Sequence, residues 1–217
     1  MFSPVDYSPL LRAALVNLDR WVGEGTEPPP SMVPRIADGS AVTAEQTRKV
    51  FESIPGATFP DRVARTVRMD FGPEVERGII AALPPKVGAP FETFVSAVDE
   101  DGNEIAGIRP MEIRVPLATY TGWNPRHPEQ GAPGDLMSMM GSMFPFARTA
   151  AEREKARDPR PSMVERYGDR AGYLERVRKE AEVMVASRCL LAEDIDAVVE
   201  RADLLWEFIW NRPSSGA

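Results

Sequence analysis

Proline and glycine recur through the middle of this sequence, so long helices are predicted only near its two ends. Pro28-Pro29-Pro30 fixes three consecutive φ angles and removes three backbone donors, so this stretch is predicted to run extended over a surface. From residue 36 to about residue 90, dipeptides such as Asp38-Gly39 and Gly72-Pro73 mark turns between short segments. We therefore expect loops with a few short strands in this region.

The segment from Ser8 to Val22 has the pattern of an amphipathic helix. Pro9 suits a first helical turn, and Gly23 and Gly25 are expected to end the helix. Its apolar residues recur at helical spacing. They are Leu10, Leu11, Ala14, Leu15, Leu18, Trp21 and Val22.

The last third of the chain is predicted to be helical. Residues 149–152 and 162–165 each have the spacing of a capping box, in which a hydroxyl and a carboxylate satisfy helix N-terminal donors. A long helix is predicted from about Gly172, and another from about Glu193 until Pro213. The break between them is short, so the two helices are expected to pack antiparallel.

The strongest β pattern lies between Phe91 and Ile108. Apolar-rich runs at 91–98 and 104–108 flank a polar connector, whose Asp101-Gly102 step tolerates positive φ, and this predicts a β-hairpin. Residues 111–117 alternate in type and are interpreted as a further strand, whereas residues 120–146 are expected to be irregular.

These patterns together predict an α+β chain in three parts. Residues 1–35 form an amphipathic helix and a proline-rich connector, residues 36–146 a loop-rich segment with a β-hairpin, and residues 147–217 a segment of antiparallel helices. The last four residues, 214–217, are expected to fray.

Composition excludes several classes of partner. Acidic residues outnumber basic ones by 33 to 26, and the formal net charge of −7 repels phosphate backbones, so we expect no nucleic-acid partner. No apolar run approaches the length of a membrane span, and Met1 to Asp6 has no signal-peptide pattern, which leaves the cytoplasm as the default location. The single cysteine, Cys189, excludes an intrachain disulfide and is predicted to be a small buried group in a helix.

Signatures of the common catalytic centres are missing from the sequence. The Gly-x-Ser-x-Gly elbow of α/β-type serine hydrolases does not occur. Ser40 and Ser142 each follow a glycine but lack the second one, so both are interpreted as structural turn residues. His127 is the only histidine and stands between Pro125 and Pro128, which favours a surface-loop residue over a general base. We assign no catalytic residue in this chain.

Metal and cofactor sites are not predicted either. One histidine and one cysteine cannot make the usual zinc ligand sets, and the carboxylates around Gly102 fit a hairpin turn better than a calcium loop. No glycine-rich phosphate loop is present. We expect no cofactor.

The most unusual local composition is at residues 119–126. Tyr120, Trp123, Asn124 and Arg126 could line a ligand pocket, and they are our candidate substrate-binding residues. The alternative is a loop that Tyr120 and Trp123 pin to the core.

Ten short blocks, in order along the chain, resemble a family of bacterial proteins called α/β-hydrolase domain-containing. They are Leu10 to Leu15, Asp19 to Val22, Pro28 to Ser31, Asp70 to Pro73, Val98 to Arg109, Pro116 to Asn124, Pro145 to Thr149, Asp158 to Arg160, Glu165 to Tyr167 and Leu190 to Asp194. In that family the nucleophile elbow and the catalytic histidine both precede the segment that Leu10 to Val22 resembles. The resemblance therefore implies a closing core helix, a β-containing excursion and C-terminal helices, without the sheet that carries the catalytic triad.

Two hypotheses follow for function. In the first, the chain is the C-terminal segment of an esterase-like hydrolase, is not catalytic alone, and joins a missing N-terminal part, or itself, through the apolar face of residues 10–22. Because the parent sheet would bury that face, an exposed apolar stripe is expected here. In the second, the chain is a standalone module that binds a ligand or partner through the loop from Tyr120 to His127.

Overall fold

The computed structural model describes residues 1–61, 65–132 and 134–213, which contain seven α-helices and six short strands. The helices are α1 Ser8–Glu24, α2 Ala44–Ser53, α3 Met111–Arg114, α4 Ala150–Ala156, α5 Met163–Tyr167, α6 Arg170–Ala186 and α7 Ile195–Trp210. The strands are β1 Ala41–Val42, β2 Val67–Asp70, β3 Lys86–Pro90, β4 Val95–Ser96, β5 Ala118–Tyr120 and β6 Met143–Pro145. This confirms the predicted α+β class.

The strands form three separate antiparallel pairs, β1 with β4, β2 with β3, and β5 with β6. In the described residues no sheet has more than two strands. A two-stranded sheet is marginally stable alone in water, so each pair depends on what packs against it. The β5–β6 pair is covered by other parts of the structure, because Ala118, Tyr120 and Met143 are buried.

Helices α6 and α7 pack antiparallel, as predicted. Arg170 at the start of α6 pairs with Asp203 late in α7, and Arg178 further along α6 pairs with Asp196 at the start of α7. Their facing side chains form the main core together with α3, β5 and α5. This core is built from Met111, Val115, Leu117, Phe146, Met163, Tyr173, Val177, Ala181, Met184, Cys189, Leu190, Val198, Ala202, Trp206 and Ile209. Cys189 is buried, as predicted, but it lies in a bend after the end of α6 and not in a helix.

The predicted helix starts are confirmed with small shifts. The Ser162 hydroxyl accepts from the Glu165 backbone N–H at 3.3 Å and the Glu165 carboxylate accepts from the Ser162 N–H at 2.8 Å, which is a complete capping box. The Thr149 hydroxyl also accepts from the backbone N–H of residue 152. Helix α6 starts at Arg170 rather than Gly172, because the Asp169 carboxylate caps it.

The predicted hairpin turn is present, but its strands are shorter than expected. Asp99 and Asn103 exchange the turn hydrogen bonds around Gly102, which has φ 79°, and only one bridge, Val98 to Glu104, follows the turn. Beyond that bridge, β4 pairs with β1 instead. The fully buried Asn103 side chain accounts for the difference, because it bonds to β5 and draws the chain there.

The predicted strand at residues 111–117 is wrong, because Met111–Arg114 is the short helix α3. Pro110 precedes this helix, and Met111 and Val115 bury a shared face at a spacing of four residues. The alternation of residue types in this segment therefore reflected helix packing. Within the segment expected to be irregular, Met143–Pro145 forms β6. The expectation of only loops and short strands over residues 36–90 is also wrong, because Ala44–Ser53 forms helix α2, which buries Thr47 and Phe51. The expected fraying of residues 214–217 lies outside the described residues.

Candidate functional site

Helix α1 presents its large apolar side chains to the outside of the described structure. Its buried residues are Ala13 and Asn17, and the Asn17 amide donates to the Arg188 carbonyl at 2.8 Å. Arg12 attaches the same side of α1 to the segment before α7, through ion pairs with Glu193 at 2.7 Å and Asp194 at 3.0 Å. The outer face, which we call the α1 stripe, consists of Leu11, Leu15, Leu18, Trp21 and Val22, exposed by 60%, 67%, 50%, 51% and 81%. The exposed stripe expected from the sequence is therefore present.

A second unpartnered apolar surface is the arm, residues 65–91, which contains β2 and β3. Every residue of both strands is exposed. Its exposed large apolar side chains are Val67, Met69, Val75, Ile79, Ile80, Leu83, Val87 and Phe91. The β2–β3 register places Met69 opposite Val87, and exposed apolar side chains that lie together favour a site of interaction.

A cavity of about 620 Å³ lies where the N-terminal residues 1–10 meet α3 and α7, and we call it the α3–α7 cavity. Its wall is mostly apolar and is interrupted by three charged side chains, Asp6, Glu112 and Arg201. The Arg201 Nε donates to the Glu112 carboxylate at 3.2 Å, and a second guanidinium nitrogen lies 3.5 Å from the Asp6 carboxylate. Arg201 also donates to the Pro4 carbonyl. A large apolar pocket with few polar groups is the usual form of a small-molecule site.

Burial shapes the ionisation of groups in and near this cavity. It raises the pKa of Glu112, and the hydrogen bond and charge of Arg201 oppose that rise. Burial, with a smaller contribution from Glu112, also holds the pKa of Tyr120 well above its usual value. Burial likewise raises the pKa of Tyr173 in the cavity wall, with smaller contributions from Tyr120 and Tyr167. Both phenols are therefore neutral at physiological pH. The Tyr120 hydroxyl is buried and has no hydrogen-bond partner among the described residues.

The four candidate substrate-binding residues do not converge on one pocket. Tyr120 and Trp123 line a smaller cavity of about 280 Å³, where the Trp123 ring lies 5.3 Å from Phe51, centroid to centroid, in an edge contact. Asn124 and Arg126 are not among its lining residues. Arg126 instead donates to a carbonyl of its own loop, at residue 130.

Hydrogen bonds within the described structure engage the two serines that follow a glycine and the single histidine. The His127 side chain is 67% exposed, and its Nδ1 accepts from the backbone N–H of Glu129 at 3.4 Å. The buried Ser142 hydroxyl donates to the Trp123 carbonyl at 3.0 Å, and Ser40 bonds to Asp38 within a turn. In the part of the chain that the structure describes, no hydrogen bond joins His127 to a serine. Ser40 thus lies at a turn and His127 on an exposed loop, as predicted, whereas Ser142 forms a β-bridge with Phe2 and is not the turn residue that was predicted.

Two further findings concern the described ranges as a whole. Residues 1–61, 65–132 and 134–213 contain no group of three or more His, Cys, Asp or Glu side chains placed to hold a metal ion. Among the helices of those ranges, none combines the length and the apolar character that crossing a membrane requires.

Comparison with known proteins identifies the family of this chain. A family model described as an alpha/beta hydrolase domain matches residues 1–200. The chain therefore belongs to this alpha/beta hydrolase domain family. Searches of curated proteins and of solved structures gave no significant match.

The sequence pointed to the family but not to the α3–α7 cavity. Asp6, Glu112 and Arg201 are separated by roughly 90 residues or more along the chain, and none belongs to a recognisable motif. The only available signal was Glu112 itself, a carboxylate between the apolar residues Met111 and Ile113.

Proposed function

We propose that this chain is the non-catalytic C-terminal segment of an esterase-like α/β-hydrolase protein of bacterial type. In this proposal it acts only when joined to a part that supplies the nucleophile and the histidine. The observation that carries the proposal is the orientation of α1, whose large apolar residues face outward from the described structure. Full burial of one such side chain is worth about 1.5–3 kcal/mol, which favours a partner over this face.

The contacts of the polar residues support the same proposal. Hydrolytic acyl transfer needs an activated nucleophile with a base within hydrogen-bond reach and a group that orients the base. His127 is exposed and bonded within its own loop, while the Ser142 hydroxyl is engaged by a backbone carbonyl. The contribution of this chain is then to cover a hydrolase core, with the α1 stripe and the arm as its two docking surfaces.

The purified chain is expected to be catalytically silent. Incubation with p-nitrophenyl acetate and p-nitrophenyl butyrate should give no turnover above buffer, and a fluorophosphonate probe should leave the intact mass unchanged, because no serine is activated. The variant His127→Ala serves as the matched control and should behave identically. Stoichiometric labelling of a single serine would contradict the proposal.

The reading frame upstream of the Met1 codon provides an independent test. The proposal expects an in-frame continuation, or a neighbouring gene, that encodes a Gly-x-Ser-x-Gly elbow. A family member with neither arrangement would count against a role as a hydrolase segment.

A second candidate function is a binding module that uses the loop from Tyr120 to His127. The observation that favours it is the smaller cavity, where Phe51, Phe59 and Trp123 surround an open space beside Glu104. Trp123 is only half-buried and belongs to a cluster separate from the main core.

Replacement of Trp123 by alanine tests this second candidate. With indole as the probe, the wild-type chain should bind and Trp123→Ala should bind at least several-fold more weakly, because stacking partners at the cavity are lost. Cooperative thermal unfolding of the α6–α7 core should persist in the variant. Loss of cooperative unfolding would instead assign Trp123 to the core and end this candidate.

A further inference from the structure

We propose that the α3–α7 cavity binds an apolar amine, a molecule with an aliphatic or aromatic body and one cationic amino group. No residue of the α1 stripe lines the cavity, so the inference does not rest on that docking surface, although Met1, where the proposed upstream part would join, lies in the cavity wall. It rests on three features of the wall: its volume, its apolar lining and the arrangement of the Asp6, Glu112 and Arg201 side chains.

The volume and lining define the apolar body of the ligand. At about 620 Å³ the cavity falls within the usual range of roughly 300–1,000 Å³ for small-molecule sites. Three buried methionines, Met111, Met143 and Met184, contribute to its wall. Unbranched thioether side chains adjust their shape readily, so the cavity suits a flexible or irregular apolar group.

The charged side chains define the head group of the ligand. One guanidinium, Arg201, is shared by two carboxylates, Glu112 and Asp6, and also donates to the Pro4 carbonyl. With Glu112 and Asp6 both ionised, the formal sum of the three side chains is −1. A cation at this point would balance the charge and complete the hydrogen bonding of the carboxylates.

An anionic ligand is disfavoured by the same geometry. A carboxylate entering the cavity would compete with Glu112 and Asp6 for a guanidinium that already contacts both of them and the Pro4 carbonyl. It would also meet two like charges at a partly desolvated site. The cavity should therefore distinguish an amine from a fatty acid of the same chain length.

Methionine methyl NMR offers a direct test on the full chain. Decylamine, decanol and decanoate are added separately, below the concentration at which they form micelles, to protein labelled with ¹³C at the methionine methyl groups. Decylamine is expected to shift the signals of Met111, Met143 and Met184, which line the cavity. The exposed Met69 and Met139, which lie outside it, should not move. Decanoate should bind about tenfold more weakly than decylamine, or worse.

Charge variants separate head-group recognition from general apolar binding. Glu112→Gln should weaken decylamine binding by about tenfold and leave decanol binding nearly unchanged, because a charge-assisted hydrogen bond is lost. Asp6→Asn, at a more exposed position, should lower amine affinity in the same direction and provides a second test if Glu112→Gln fails to fold. Decanoate binding as tightly as decylamine, an unchanged amine-to-alcohol ratio in a folded variant, or shifts confined to Met69 and Met139 would each overturn the proposal.

Discussion

Replacing Arg160 with alanine is expected to lower the free energy of unfolding by about 3–5 kcal/mol, the cost of breaking a buried ion pair from one side. The Arg160 and Asp158 side chains are only 2% and 5% exposed. The guanidinium donates to both oxygens of Asp158, at 2.9 and 2.6 Å, and to the Thr119 hydroxyl at 2.7 Å and the Phe144 carbonyl at 2.8 Å. Its removal takes the guanidinium away from all three groups, although the Asp158 carboxylate keeps the backbone N–H of residue 160 and the Thr119 hydroxyl keeps its bond to the Asp101 carbonyl.

This arginine connects the β5–β6 pair to the segment that precedes α5. Thr119 lies in β5 and Phe144 in β6, while Arg160 precedes α5. A two-stranded sheet of this size depends on such external support. We therefore expect the β5–β6 pair to separate from the helical core in Arg160→Ala at lower urea concentration than in the wild type.

Urea denaturation followed by circular dichroism measures the effect. The matched control is Arg77→Ala, because the Arg77–Glu74 pair is exposed and an exposed pair is worth about 0–1 kcal/mol. If the free energy of unfolding of Arg160→Ala lay within about 1 kcal/mol of the wild-type value, the ion pair would not be a major contributor to stability.

Replacing the three leucines of the α1 stripe is expected to weaken self-association and lower dye binding of the isolated chain, with the remainder due to Trp21, Val22 and the exposed arm. Leu11, Leu15 and Leu18 are all exposed by half or more, and their burial across an interface is worth about 1.5–3 kcal/mol each before the cost of association is subtracted. The triple variant Leu11→Gln, Leu15→Gln, Leu18→Gln removes this driving force and keeps the contacts that hold the opposite side of α1.

Sedimentation velocity over a range of protein concentrations, together with 1-anilinonaphthalene-8-sulfonate fluorescence, reports both properties. The control variant Met32→Gln, Val33→Gln, Ile36→Gln changes three other exposed apolar residues outside α1 and should associate and bind dye like the wild type. A wild-type chain that is monomeric at all concentrations and does not enhance the dye fluorescence would contradict a docking role for the stripe.

Local signals explain why the helices could be predicted from sequence. The capping box at Ser162 and Glu165 needs only four consecutive residues, and the spacing of Tyr173 and Val177 gives the buried face of α6 directly. The outward orientation of α1 was not available from its own sequence. The helix has one wide apolar face, and its attachment through Asn17 depends on a carbonyl at Arg188, far along the chain.

Features that depend on contacts between distant residues could not be predicted from the sequence. Alternation at residues 111–117 suggested a strand, but Met111 and Val115 pack as one turn of helix against α6 and α7. Trp123 and Tyr120 do come together in a cavity, whereas Arg126 bonds within its own loop. Side chains of one short loop can point in different directions, so the tertiary structure decides which of them line the same cavity.

The main core combines segments that are far apart in the chain, and this delays its folding during translation. That core includes Met111 and Val115 from its first segment but also Trp206 and Ile209 from α7, so it cannot close until nearly 100 further residues have left the ribosome. Synthesis of that length takes about 5–20 s. During this interval Tyr173, Val177 and their neighbours remain without α7, and a nascent chain in that state is a natural client for chaperones. Any domain encoded ahead of it would already be folded when α7 arrives.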